Sequence, residues 1–219
     1  MITRTALLIA ALGLAACKDP SKDTAKATVT EPAKAVAAVA AVEAPSAAGQ
    51  ETLPITSENS KIAFTASKVT GSHEGGFNAF SGSLQLNPAK TEASRLDIDI
   101  QMGSVFTDSE RLTGHLKTAD FFLIEQHPTA KFVSTEIKTG GENGATHTIT
   151  GNLTLRGVTK TISFPANVTV AANAVTAKAE FALPRLQFGI AYAGKADDLI
   201  RDNVIIKLDV TAPRSARAL

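Results

Sequence analysis

Few side chains in this 219-residue sequence are of the types and spacings that do chemistry. The four histidines, His73, His115, His127 and His147, stand far apart, and none has a second ligand at the i+2 or i+4 spacing of a metal site. His73 beside Glu74 is a weak acid–base pairing, and His127 before Pro128 reads as a residue that fixes a turn. No Gly-x-Ser-x-Gly elbow and no phosphate-cradling loop is present. Asp197-Asp198 close to Arg201 reads as solvated charge or a rim ion pair. An enzyme would need a convergent polar cluster, and none can be assembled, so neither catalysis nor a bound metal or cofactor is expected. The net charge of +1, with both signs interspersed, offers no basic face for nucleic acid.

Cys17 is the exception, and as the only cysteine it excludes an internal disulfide. One positive charge, Arg4, precedes the apolar run Ala6–Ala16, which is too short to cross a bilayer and reads as a secretory signal over residues 1–16. The run ends in Leu14-Ala15-Ala16-Cys17, which resembles the bacterial lipobox. That resemblance implies a cysteine thiol carrying diacylglycerol, with cleavage before it and acylation of the new amine. An ordinary signal peptide with Cys17 near its cut is the alternative. Two or three acyl chains, at about 0.8 kcal/mol per buried CH₂, would anchor the chain stably to a membrane. The expected place is the bacterial cell envelope. Lys18 rather than Asp after the cysteine resembles the default for outer-membrane sorting, facing the periplasm in a Gram-negative cell.

Residues 17–51 combine Ala, Val, Lys and Pro without Leu, Ile or aromatic side chains before Leu53, and are expected to be a disordered linker. As a coil it would reach on the order of 30 Å. All ten Phe and the only Tyr lie at or after Phe64, so the core belongs to residues 52–212, with 213–219 a flexible tail. There the pattern has period two. Leu96, Ile98, Ile100 and Met102 alternate with polar residues, as do Ile149–Leu155, Ile162–Val170, Val175–Leu183 and Val204–Val210. Runs 61–69, 77–87 and 131–138 are noisier, and together they make eight strands. The expected fold is all-β: an eight-stranded, antiparallel, up-and-down, lipocalin-like barrel, with a two-sheet sandwich as the alternative. A short helix over Thr107–Leu116, opened by a Thr107-x-x-Glu110 capping box, should cover one end.

Five segments stand in the order of a known family: Gly75-Gly76-Phe77-Asn78-Ala79-Phe80-Ser81-Gly82, Leu116–Phe122, His127-Pro128-Thr129-Ala130-Lys131-Phe132, Thr150–Lys160 and Arg185-Leu186-Gln187-Phe188-Gly189-Ile190. Together they resemble the YceI-like, polyisoprenoid-binding family, with the lipobox and Ala-rich linker as departures from its plain signal peptide. The resemblance implies an elongated apolar pocket filled by a long isoprenoid chain such as a quinone, a quinone precursor or a polyprenol. The inward positions of the strands are the pocket candidates, chief among them Phe64, Phe80, Leu84, Leu86, Ile98, Ile100, Phe132, Leu153, Leu155, Phe164, Phe181 and Phe188. For each, plain core packing is the competing reading. Arg185 is read either as an internal salt bridge or as a guanidinium at the barrel mouth meeting a lipid head group. A membrane-tethered, non-enzymatic lipid carrier is thus expected. The alternative is an envelope protein-interaction or stress-response module with a solid core.

Overall fold

The computed structural model describes residues 19–32 and 50–214; Cys17, the signal segment and the end of the tail lie outside the described residues. In chain order the strands are β1 Thr28–Thr30, β2 Glu51–Thr56, β3 Lys61–Lys68, β4 Gly71–Phe77, β5 Phe80–Leu86, β6 Arg95–Gln101, β7 Val105–Thr107, β8 Thr129–Thr139, β9 His147–Leu155, β10 Val158–Val170, β11 Ala174–Pro184, β12 Gly194–Lys195, β13 Asp198–Leu199 and β14 Asn203–Pro213. Helix α1 spans Glu110–Leu116. One antiparallel sheet runs β2-β5-β6-β8-β9-β10-β11-β14-β3-β4-β7, with β1 added to β10, while β12 and β13 form a small ladder of their own.

The eight alternating runs are all strands, but eleven lie along the sheet path, not eight. β2, β4 and β7 are the additions, and each continues a neighbour across a bend. β2 passes into β3 through a turn in which Asn59 Oδ1 accepts from Thr56 N (3.2 Å). β4–β5 and β6–β7 break side by side. There Ser104 Oγ accepts from Ala79 N (3.0 Å) and donates to Gln101 O (2.7 Å), so one hydroxyl serves both corners. The sheet curls until β14 lies beside the start of β2. No ladder closes this seam among the described residues. Side chains do so instead: Ser60 Oγ accepts from Thr211 N (3.0 Å), and Arg214 donates to both carboxylate oxygens of Glu51 (2.6 and 2.8 Å). The tail is therefore docked as far as Arg214.

Helix α1 begins later than the capping box implied. Ser109 is its cap, accepting from Leu112 N, while Thr107 belongs to β7 and donates to Ser109 O (2.8 Å). The helix and residues 117–128 cover one end of the curled sheet. Arg156, in the β9–β10 turn, ties that cover down by donating to Gly189 O (2.8 Å) and Ala119 O (2.9 Å). Arg156 and Gly157 both have positive φ (51° and 73°), as a two-residue hairpin turn requires. The His127 ring packs where a Cβ on Gly157 would stand, 2.6 Å from its Cε1, so His127 does seat a turn.

The linker reading fails over residues 19–32. Asp19 lies 3.6 Å from Arg201, Ser21 is 1% exposed, Ala27 is buried, and β1 pairs with β10. The apolar side chains of this stretch are too few for a core of their own, but they complete one built by residues 51–213.

Candidate functional site

The inward faces of the strands do two different things along the curled sheet. At the end capped by α1 they are packed solid. Phe64, Val105, Leu116, Phe121 and Ile190 are buried together, with Phe77, Phe122 and Tyr192 against them. Aromatic rings interlock there, Phe64–Phe77 at 6.0 Å, Phe77–Phe122 at 6.1 Å and Phe121–Tyr192 at 5.4 Å between centroids. Midway, Phe164 stacks on Phe181 (4.3 Å, 15°) and Phe132 tilts against Phe164 (5.9 Å), forming an aromatic layer across the interior.

Above that layer the interior is hollow. The free space, counting its open mouth, is about 750 Å³. Its wall comes from Ile55, Leu84, Leu86, Leu96, Ile149, Phe164, Ala166, Val168, Val175, Ala177, Ala179, Leu208, Val210 and Ala212, nearly all apolar. The sequence produces this because the inward positions of β10, β11 and β14 change from aromatic to Ala and Val toward these hairpins. Only Thr91, Ser94 and His147 bring polar groups, at the rim. His147 is 9% exposed, and its Nδ1 lies 2.9 Å from Thr146 Oγ1. The site has shape and hydrophobicity, with one polar edge.

Of the residues named individually from the sequence, Leu84, Leu86 and Phe164 line the cavity, and so do the inward positions Leu96, Ile149, Ala166, Val168, Val170, Val175, Ala177, Ala179, Leu208 and Val210. Phe80, Ile98, Phe132, Phe181 and Phe188 are buried in the core around its floor, with Ile100, Leu153 and Leu155 partly buried against them. Phe64 belongs to the solid end. Cys17 lies outside the described residues. Ile55, Ile137 and Ala212 were missed: β2 is interrupted by Pro54, Ile137 follows a bulge in β8, and Ala212 stands in the supposed tail boundary.

Arg185 is not at the mouth. It follows β11 at the capped end, 6% exposed, and donates to Ile190 O (2.6 Å), Arg201 O (3.0 Å) and Ile200 O (3.2 Å). Burial lowers its pKa from the ordinary guanidinium value, opposed by Asp202. Three carbonyl partners, not the salt bridge or head group expected, hold it.

The remaining histidine and carboxylate contacts lie outside the cavity. His73 Nδ1 is 2.8 Å from Asp108 and not engaged with Glu74, and this contact holds the Asp108 carboxyl below its usual range. His115 Nε2 is 2.7 Å from Asp120. Asp198 pairs with Lys68, which with Thr70 holds its carboxyl below the usual range. Among the described residues no three His, Cys, Asp or Glu side chains gather as a metal site.

Among the described residues, a curled antiparallel sheet surrounds an apolar cavity, and no convergent polar cluster faces it. The YceI-like domain model matches residues 54–212, and the chain belongs to that family. It is 40% identical over 92 residues to a UPF0312 protein of Pseudomonas putida strain W619, covering 42% of this chain and 47% of the relative. A UPF0312 protein of Azotobacter vinelandii is 41% identical over 88 residues, covering 40% of this chain and 45% of the relative. The matched stretch thus spans about half the length of these relatives. Among solved structures, Burkholderia cenocepacia BcnA superposes with a TM-score of 0.63 at 23% identity, covering 72% of this chain and 99% of that one. A polyisoprenoid binding domain from Saccharophagus degradans, implicated in plant cell wall breakdown, gives 0.58 at 15% identity, covering 75% and 100%. These two likenesses concern the fold.

Proposed function

We propose that this protein binds a long-chain isoprenoid lipid, a quinone, a quinone precursor or a polyprenol, in the cavity above the Phe164–Phe181 layer, without catalysing a reaction. The observation that carries the reading is the apolar wall of that cavity. Each 100 Å² of prenyl surface removed from water there contributes about 2.5 kcal/mol. A solid-core interaction module accounts for the capped half only. Membership in the YceI-like family, and the polyisoprenoid-binding description of the Saccharophagus domain, support the same ligand class. The test is organic extraction of the full chain, purified from an exporting bacterial host, followed by mass spectrometry. A prenyl lipid at near-stoichiometric amount is expected, and its absence together with failure to bind added prenylquinone would overturn the reading.

We further propose that Cys17 is acylated and holds the domain on a cell-envelope membrane. Because Asp19 docks against Arg201, Cys17 stands two residues, about 7 Å of extended chain, from a seated position. The acyl group would hold the domain close to the bilayer, without the long leash that a disordered linker would provide. Cys17→Ser should move the protein from the membrane to the soluble fraction. An unchanged distribution, with an unmodified N-terminal peptide by mass, sinks the anchor.

A further inference from the structure

β10 and β11 are neighbours in the sheet, yet they pair only from Asn167–Lys178 to Val170–Val175. Below that fork they diverge, and another segment fills the opening. β1 takes the free edge of β10 at Ser163, Ile162 and Thr161. On the other side Ala27 N donates to Ala182 O (2.9 Å) and Ala182 N to Ala25 O (2.8 Å). Residues 25–30 are therefore a wedge between two strands of the wall, supplied from outside the 54–212 stretch that matches the family. The wedge is held by backbone hydrogen bonds on both edges and by little apolar burial. Ala27 is its one buried side chain and Val29 packs beside it, while Thr28 and Thr30 face outward and are exposed.

Above the wedge, at the fork, lies a second cavity on the outer surface, of about 640 Å³ with its solvent mouth. It is polar, with Asp23, Thr24, Glu142, Asn167, Lys178 and Glu180 around it. Ala166 and Ala179 line both this cavity and the apolar one inside. These two alanines are thus a wall shared by both cavities where the ladder stops. Pro165, which has no N–H to give a neighbouring strand, stands at the same fork.

We propose that the β10–β11 fissure is a side door of the apolar cavity, latched by residues 23–30, through which a prenyl chain enters while its head group stays in the outer polar cavity. Three carboxylates, Asp23, Glu142 and Glu180, face one lysine there, and Lys178 is already paired with Asp209 (3.2 Å). That balance repels a phosphate, so the ligand class is a prenyl lipid with a neutral head.

The proposal rests on the lipid-binding reading, and a cross-link separates the two. Thr28 and Ser163 are register partners, at a spacing a disulfide accepts. Thr28→Cys with Ser163→Cys, in the full chain carrying Cys17→Ser, is loaded from phosphatidylcholine vesicles containing a neutral prenylquinone. Oxidised protein should exchange lipid about tenfold more slowly or worse, with the rate restored by dithiothreitol and the amount bound at equilibrium unchanged. Ala27→Asp, which puts a carboxylate into the buried end of the latch, should speed exchange. Equal rates in oxidised and reduced protein that still binds lipid would overturn the door and leave the binding reading standing. Failure of either form to take up prenylquinone would overturn both. Polyprenyl phosphate loading as readily as the quinone would overturn the neutral-head assignment.

Discussion

The capped and open halves of the interior are built by the same strands and filled in opposite ways. β10 carries Phe164 at mid-height and Ala166, Val168 and Val170 above it; β11 carries Phe181 and Leu183 below and Val175, Ala177 and Ala179 above. Below, α1 and its following loop add Phe121 and Phe122 to a buried aromatic cluster. Above, Ala and Val leave a hollow whose wall is apolar. The alternation that makes a strand is identical in both halves, so side-chain volume and not polarity divides scaffold from site. If so, changing volume should move the boundary, and the two halves should answer differently to the same kind of substitution.

The largest effect is expected at the boundary itself. Phe181→Ala removes the ring stacked at 4.3 Å on Phe164, and should cost about 3–5 kcal/mol in urea-denaturation measurements. The gap it opens joins the cavity above, so the variant should accept a bulkier prenyl end while unfolding earlier. A loss below about 1 kcal/mol would mean that the layer is not a floor.

Next comes the capped end. Arg185→Met leaves the carbonyls of Ile190, Ile200 and Arg201 short of a donor, which should cost about 2–4 kcal/mol by chemical denaturation. Lipid affinity per folded molecule should not change, because Arg185 lies away from the cavity. A selective loss of binding would instead restore the head-group reading that burial at the capped end contradicts.

The open half should show the reverse pattern. Ala177→Phe places a ring into empty space. It should lower prenylquinone affinity by about tenfold or more, or ~1.4 kcal/mol, with stability changed by no more than about 1 kcal/mol. Fluorescence titration beside a thermal melt reads both. Undiminished binding would place the ligand elsewhere.

These contrasts also explain what the sequence disclosed. β6, β9, β10, β11 and β14 were legible because each buries one face, and alternation is the direct record of that. β4 was not, because Gly71-Ser72-His73-Glu74-Gly75-Gly76 has almost no apolar side chain. At Gly75 a Cβ would meet Phe106 O at 2.4 Å and the Phe64 ring at 2.6 Å, so neighbours supply the packing that the strand lacks. β1 was read as linker because a wedge needs only small residues, and small residues without Leu or Phe look like coil. Alternation likewise assigned the inward face correctly, but it cannot show which inward residues meet one another and which meet empty space. Most of the large inward residues are core, and the smaller inward residues of β10 and β11 line the cavity. The informative signal was the change from Phe to Ala along the inward positions of β10 and β11.

The smallest expected effect tests whether the capped end is held by polar ties as well as by rings. Asp198 pairs with Lys68 and accepts from Thr70 N (3.1 Å) and Oγ1 (2.9 Å), and these contacts hold its carboxyl below the usual range. A carboxyl more acidic in the folded than in the unfolded state stabilises the fold above its unfolded pKa, about 3.9. That stabilisation fades as pH falls from there through the folded value. Asp198→Asn should therefore melt slightly earlier than the parent at pH 7, and the gap should close as the pH is taken below about 4. The cavity is formed by the other end of the strands, so prenylquinone affinity at pH 7 should be unaltered. A gap that persists undiminished in acid would show that the Asp198 charge is not what ties β13 to β3. A change in affinity would show that the two halves of the interior are coupled.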